Sequence, residues 1–339
     1  MDQPFNSSGT LQMPHDSLYS YTEADLAKAY SEIAPQLFDS VAEANKDTDA
    51  PRMLIVAGVQ GSGKTYLLEK SLLPGSSYKD FIRPYIPEYR THHPQYAQMI
   101  RHGVLHAYEH TERFIWDLGK KIFEDAFSKN YNIIIESALD NIDFAGLPAH
   151  AASKGYQFDV HLIGCKREFA HLSTIERALK SIEGREMERF VGISTIDGSM
   201  ANAQSILSAV ENACATSVGS RITLYERGFG VLRDRRVVCS SLCTKPSELV
   251  AQPITDESGA SIQPERHAMT IVRNPEANKP CAFDNYVRLV NAPIVSLDER
   301  CETVKAAHLA LAKAERCEEP VPHRVFNDLS AYIVKYVFR

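Results

Sequence analysis

Short, uninterrupted apolar runs alternate along the chain with longer stretches in which apolar residues recur every three or four positions. The runs are Met53-Leu-Ile-Val-Ala57, Asn132-Ile-Ile-Ile135 and Phe158-Asp-Val-His-Leu-Ile163, with a shorter one at Ile222-Thr-Leu-Tyr225. Runs of this length mark strands buried on both faces. The spacing between them predicts helices over roughly 64–73, 95–128, 167–184 and 199–215. A further helix opens at Thr22. Asp25 three residues on forms a capping box, and Leu26, Tyr30, Ile33 and Leu37 form the apolar stripe. The polar run from Asn45 to Pro51 ends it. Strands alternating with helices predict an α/β fold, a parallel sheet flanked by helices.

The two ends break this rhythm. Residues 1–17 carry Ser, Gly, Pro and Asn without periodicity and read as a disordered tail. Beyond about residue 232 the pattern loses order, and 244–280, with Pro246, Pro253, Pro264 and Pro275, reads as irregular loop. Helical spacing returns at Asp298–Glu315, with Val304, Ala307, Leu309, Leu311 and Ala312 as its apolar positions, and at Phe326–Val337. The expected organisation is a tail (1–17), a core domain (18–232) and a C-terminal extension (233–339) that covers the sheet edge, forms a small domain or binds a partner.

Composition narrows the function. Hydrophobic residues at 44% and charged residues at 24% describe a globular chain. Thirty-seven basic against 43 acidic residues leave a net charge of −6, which exerts no general pull on nucleic acid or anionic lipid. No apolar run is long enough to span a bilayer, and the start has neither the basic nor the apolar region of a Sec signal. Seven scattered cysteines without a CxxC read as free thiols in a reducing compartment. That expectation fits a cytoplasm, either the cell's own or that of a host reached by secretion.

Candidate chemistry begins at Gly58-Val-Gln-Gly61-Ser-Gly63-Lys64-Thr65, which fits G-x-x-x-x-G-K-[ST] between a buried strand and a helix. Glycines let the backbone wrap closely, so that N–H groups of Gly58, Gln60, Gly61, Ser62 and Gly63 can face phosphate oxygens. Lys64 would reach the β- and γ-phosphates of ATP, and the Thr65 hydroxyl would be a ligand for Mg²⁺. The following helix adds its positive end. Motors, GTPases and kinases share this loop, so later residues must choose. The strand at 132–135 ends in Glu136, where a carboxylate can meet Mg²⁺ through water or bind an acceptor hydroxyl. Arg177 on the 167–184 helix and Arg189 beyond it suit charge developing on a transferring phosphoryl group.

Taken in order, these features resemble the zeta-toxin family of P-loop kinases. The resemblance runs from Tyr21-Thr22 through the loop and Tyr89-Arg90-x-x-His93-Pro94. It continues through Tyr131-Asn132-Ile-Ile-Ile-Glu136 and Thr174-Ile-Glu-Arg177 to Arg189 and Ile222-Thr-Leu-Tyr225. It implies an ATP- and Mg²⁺-dependent kinase that phosphorylates a sugar hydroxyl of UDP-N-acetylglucosamine and acts as a toxin. An antitoxin or chaperone partner would pack on the N-terminal helix. A related effector branch phosphorylates NAD, which stays open as the acceptor. By position, Lys64 and Thr65 hold phosphate and metal, Glu136 and Arg90 meet substrate, and Arg177 and Arg189 stabilise the phosphoryl group. One slot departs from the pattern. The family's base, an Asp two residues before the aromatic of its Asp-x-Phe-Arg segment, is replaced here by Pro87 in Pro87-Glu88-Tyr89-Arg90. Either Glu88 takes the role from a shifted backbone or the chain is a nucleotide-binding pseudo-kinase that serves as an interaction module.

Other clusters are read as inert. His102, His106 and His110 share one helix face but lack the HExxH pattern or a nearby Cys, so a solvated or cleft-lining face is expected rather than a metal site. Arg233-Asp-Arg-Arg236 reads as a solvated turn, and Cys239 with Cys243 lacks the other half of a zinc site.

Overall fold

The computed structural model describes residues 18–45, 50–184, 190–228, 235–253, 282–291 and 297–337. The expected tail (1–17), Arg189 and Arg233 lie outside the described residues. The described residues form one six-stranded sheet of β1 (Arg52–Ala57), β2 (Ile133–Ser137), β3 (Gln157–Cys165), β4 (Arg221–Arg227), β5 (Arg235–Lys245) and β6 (Glu248–Gln252), in the order β2-β1-β3-β4-β5-β6. The first four strands are parallel, and β5 and β6 add on antiparallel. All four apolar runs are therefore parallel strands. Their unbroken apolar character follows from burial on both faces: Met53, Ile55 and Ala57 join one core cluster, while Leu54 and Val56 join another on the opposite side.

The helices are α1 (Glu23–Asn45), α2 (Lys64–Leu67), α3 (Tyr96–Met99), α4 (Val104–Ser128), α5 (Leu147–Ser153), α6 (Arg167–Gly184), α7 (Ile193–Thr216), α8 (Ala282–Asn291), α9 (Leu297–Arg316) and α10 (His323–Tyr332). α2 continues into a wider turn over Leu68–Leu72. α1 starts as expected: the Thr22 hydroxyl donates to Asp25 at 2.7 Å and accepts from the Asp25 amide at 3.2 Å. Its buried stripe is Leu26, Ala29, Ile33, Ala34, Phe38 and Val41; Tyr30 and Leu37 are only half-buried beside it.

The C-terminal part differs most from its sequence reading. The run read as irregular from 244 holds the end of β5, a two-residue turn at Pro246 and Ser247, and β6. Ser247 adopts a left-handed φ of 68°, which closes the hairpin. α8 lies against β3 and β4, so residues beyond 232 extend the sheet and cover one of its faces. α9 and α10 pack on α6, with Ala307, Ala310, Val325, Leu329 and Tyr332 buried there against Phe169, Leu172 and Leu179. Polar anchors accompany this apolar contact. Lys166 donates to both oxygens of Glu299 at 3.1 Å, His171 meets Asp328 at 3.0 Å, and Arg167 donates to the Tyr336 hydroxyl at 2.8 Å.

Candidate active site

The parallel register sets the site. Val56 of β1 stands opposite Glu136 of β2, and Ala57 opposite Ser137. The chain then leaves β1 through Gly58, whose amide still donates to the Ser137 carbonyl at 3.1 Å. The loop 58–65 thus opens at the carboxyl ends of the strands, directly beside Glu136.

Its glycines are required by geometry. Gly61 and Gly63 have φ of 77° and 87°, in the left-handed region. A Cβ on Gly61 would lie 2.2 Å from the Ala170 carbonyl oxygen, so the loop can rest on α6 only through a glycine. The Gly61 carbonyl accepts from Arg227 at 2.5 Å, and Arg227 also donates to Ser173 at 2.9 Å. The Lys64 ammonium folds back to the carbonyls of Gly58 (2.7 Å) and Val59 (3.1 Å), spanning the loop mouth. Thr65 donates to Glu136 at 3.1 Å. The Ser62 hydroxyl is fully buried and has no hydrogen-bond partner among the described residues. A backbone cradle, a lysine at its mouth and a paired hydroxyl and carboxylate form a donor set suited to a nucleoside triphosphate with a divalent cation.

Gln60 serves the loop differently from its neighbours. Its side chain donates to Asp140 at 2.7 Å and accepts from Ser199 at 2.8 Å, which braces the loop against α7 and the turn after β2. Leu139 in that turn has a φ of 61°, an uncommon conformation for a leucine and one that concentrates near functional sites.

A cleft of about 990 Å³ extends from the loop. On the β2 side, Arg83 reaches Glu136 at 3.2 Å and Glu69 at 3.8 Å. Tyr85 stacks on Trp116 with centroids 5.7 Å apart, and it lies where a Cβ on Gly119 would otherwise stand. The buried Arg90 donates to the Tyr108 carbonyl, Thr111 and Glu112 at 3.0, 2.8 and 2.6 Å, and its guanidinium lies 3.6 Å from the Tyr108 ring centroid. Burial pushes the Tyr89 phenol up to about 12. On the opposite side, Ser173, Thr174, Arg177 and Lys180 of α6 line the cleft, joined by Leu309, Ala310 and Lys313 of α9.

The structure thus gathers Gly61, Gly63, Lys64, Thr65, Arg90, Glu136 and Arg177 on one cleft. Glu88 does not join them. Its residue is exposed, and of its turn Pro87 and Arg90 line the cleft. Pro87 opens the short 3-10 turn Pro87–His92, whose phase sends Tyr89 and Arg90 inward and Glu88 outward. Sequence reasoning missed Arg83, Asp140 and Arg227. Arg227 and Asp140 lie at or just beyond strand ends, where the carboxyl-end rule would have found them; Arg83 stands in irregular chain and carried no signal. Of the histidine face, none of His102, His106 and His110 lines the cleft, and His106 meets the Tyr19 hydroxyl at 3.1 Å. Among the described residues no group of three or more His, Cys, Asp or Glu side chains is placed to hold a metal ion. No described helix is long and apolar enough to cross a membrane.

A parallel sheet whose first strand feeds this loop, with a carboxylate on the neighbouring strand and arginines facing the cleft, defines a P-loop kinase architecture. The chain belongs to the Zeta toxin family, whose pattern matches residues 37–236. It is similar to Toxin PezT of Streptococcus pneumoniae serotype 4, with 24% identity over 165 residues. That match covers 47% of this chain and 61% of PezT, so less than two thirds of that relative is spanned. Among solved structures, one from the PezAT toxin–antitoxin system of Streptococcus pneumoniae superposes with a TM-score of 0.56 at 18% identity, covering 88% of this chain and 98% of that one. The AvrRxo1-ORF1:-ORF2 structure with ATP gives 0.54 at 11% identity, covering 91% of this chain and 89% of that one. The structural likeness reaches past the segment matched in sequence and includes part of the C-terminal region.

Proposed function

We propose that the protein is a toxin-type kinase that moves the γ-phosphoryl group of ATP to a sugar hydroxyl of UDP-N-acetylglucosamine. The observation that carries this reading is the placement of Lys64 and the Thr65–Glu136 pair at one end of a cleft flanked by Arg83 and Arg177. In the transfer, the bond from the γ-phosphorus to its bridging oxygen breaks and a bond to the acceptor oxygen forms. The acceptor's proton leaves to a carboxylate or to water. Catalysis of this kind rests on positioning and charge neutralisation. Loop amides other than those of Gly58 and Ser62, which donate to the Ser137 and Val59 carbonyls, hold the phosphates together with the Lys64 ammonium, and Arg177 with Arg189 neutralises the equatorial oxygens. Glu136 receives the acceptor hydroxyl, oriented by Arg83. Thr65 and Glu136 would hold Mg²⁺, which supplies charge neutralisation on the phosphate oxygens. Arg90 shapes the acceptor wall through Tyr108 and Glu112. An antitoxin or chaperone partner belongs to the same reading, in line with the toxin–antitoxin origin of the PezAT structure.

The experiment is mass spectrometry of products after incubation with ATP, Mg²⁺, UDP-sugars and NAD. UDP-N-acetylglucosamine gains one phosphate with the wild type and none with Lys64→Ala. Glu88→Gln keeps turnover within about twofold, because its carboxylate stands outside the cleft. A phosphorylated NAD instead would assign the acceptor of the effector branch. ATP binding without any product would assign a pseudo-kinase.

A further inference from the structure

The family match ends at residue 236, yet α9, some sixty residues later, borders the cleft. Leu309 and Lys313 are one helical turn apart and share a face. Leu309 is 63% exposed, although the apolar stripe of α9 would have buried it; Ala307 and Ala310 do the packing instead. Across the cleft wall, α6 presents Thr174, Arg177 and Lys180 at successive helical turns, starting where the loop rests on Ala170. The wall thus runs from the phosphate loop along α6 to α9 and includes Lys180, Lys313 and an exposed leucine. Lys313 is paired with Glu183 at 2.6 Å, a carboxylate that is itself 64% exposed. Such an exposed partner holds an ammonium weakly and yields it to a stronger anion. α9 cannot drift from this position, because the Lys166–Glu299 pair and the buried Ala307 and Ala310 fix it to α6.

We propose that α9 is a substrate-recognising wall of the cleft, in which Lys313 binds a phosphate group of a nucleotide and Leu309 packs against its organic portion. The inference rests on the nucleotide-kinase reading of the cleft and extends it to residues outside the family segment. The nucleotide is either the donor or the acceptor, and two titrations separate them: calorimetry with a non-hydrolysable ATP analogue plus Mg²⁺, and calorimetry with UDP. Lys313→Gln weakens binding roughly three- to ten-fold in one of the two, the size of a lost charge-assisted contact. Loss in the first assigns the donor; loss in the second assigns the acceptor. Lys313→Arg restores affinity.

Glu183→Gln separates recognition from mere structure. It frees Lys313 and leaves affinity unchanged or tighter, whereas a purely structural ion pair would make both variants equally less stable and move neither titration. Thermal melting of each variant checks that the fold is intact. Unchanged affinity of Lys313→Gln in both titrations, with the wild type binding normally, overturns the wall alone. A wild type that binds neither probe overturns the nucleotide reading and the wall with it.

Discussion

The phosphate loop at one end of the cleft and the β2 side of the cleft are built from different materials. The phosphate loop is made of backbone: two glycines with left-handed φ, carbonyls that hold Lys64 and Arg227, and a rest on α6 too close for any Cβ. The β2 side is made of side chains drawn from separate elements: Arg83 on Glu136, Arg90 on Tyr108, Thr111 and Glu112, and Tyr85 on Trp116. A backbone site tolerates almost no substitution at its glycines, because strain and collision act together. A side-chain site can change one contact at a time, and so can change its substrate while the phosphate end stays the same.

The contrast is broken most severely by Gly61→Ala. A Cβ 2.2 Å from the Ala170 oxygen at a φ of 77° forces the loop off α6. We expect a loss on the order of 4 kcal/mol and no measurable ATP binding, read by urea unfolding and calorimetry. A variant as stable as the wild type would show that the loop is less tightly seated than described. Arg90→Met tests the other side. It removes the guanidinium from Glu112 and the donors to Tyr108 and Thr111, at a cost of about 2–3 kcal/mol. ATP affinity should stay within about twofold while the KM for the acceptor rises, since the damage is confined to one wall; equal damage to both would dissolve the comparison.

The smallest effect depends on pH. His93 packs between Tyr21 and Phe114 and accepts from the Gln95 amide at 3.1 Å. Burial lowers its pKa to about 4. As pH falls below the ordinary histidine value of about 6.5, the unfolded chain takes up this proton and the folded chain does not. Stability therefore declines through the window from about 6.5 to 4, by about 2 kcal/mol at roughly pH 5. Urea midpoints across this range should show the slope, and His93→Gln should flatten it. An unchanged slope in the variant would place the titrating group elsewhere.

The same contrast explains what could be read from the chain. The phosphate loop is contiguous, so its pattern, its strand and its helix were legible together. So were the four parallel strands, because burial on both faces leaves an unbroken apolar run. Glu136 was legible because it ends such a run. The β2 wall was not, because Arg83, Tyr85 and Trp116 meet only through the packing of α4 on the sheet. The hairpin of β5 and β6 was hidden by Pro246, which reads as a breaker but here helps form the turn. α8 falls between the 244–280 loop and the helix at Asp298, in a stretch to which spacing assigns no element. The α9 stripe was misjudged at Leu309 because helical spacing identifies a face but not what covers it.

The Lys166–Glu299 pair bears on how such a protein can evolve. Both side chains are largely withdrawn from water, one at the end of β3 and the other at the start of α9. Lys166 without this carboxylate would be an interior charge lacking its counter-ion, costing on the order of 3–5 kcal/mol. Exchange of C-terminal segments between relatives is therefore constrained by a residue 133 positions upstream. The lineage can vary the rim of its cleft freely, but the strand end and the last helices must be inherited together.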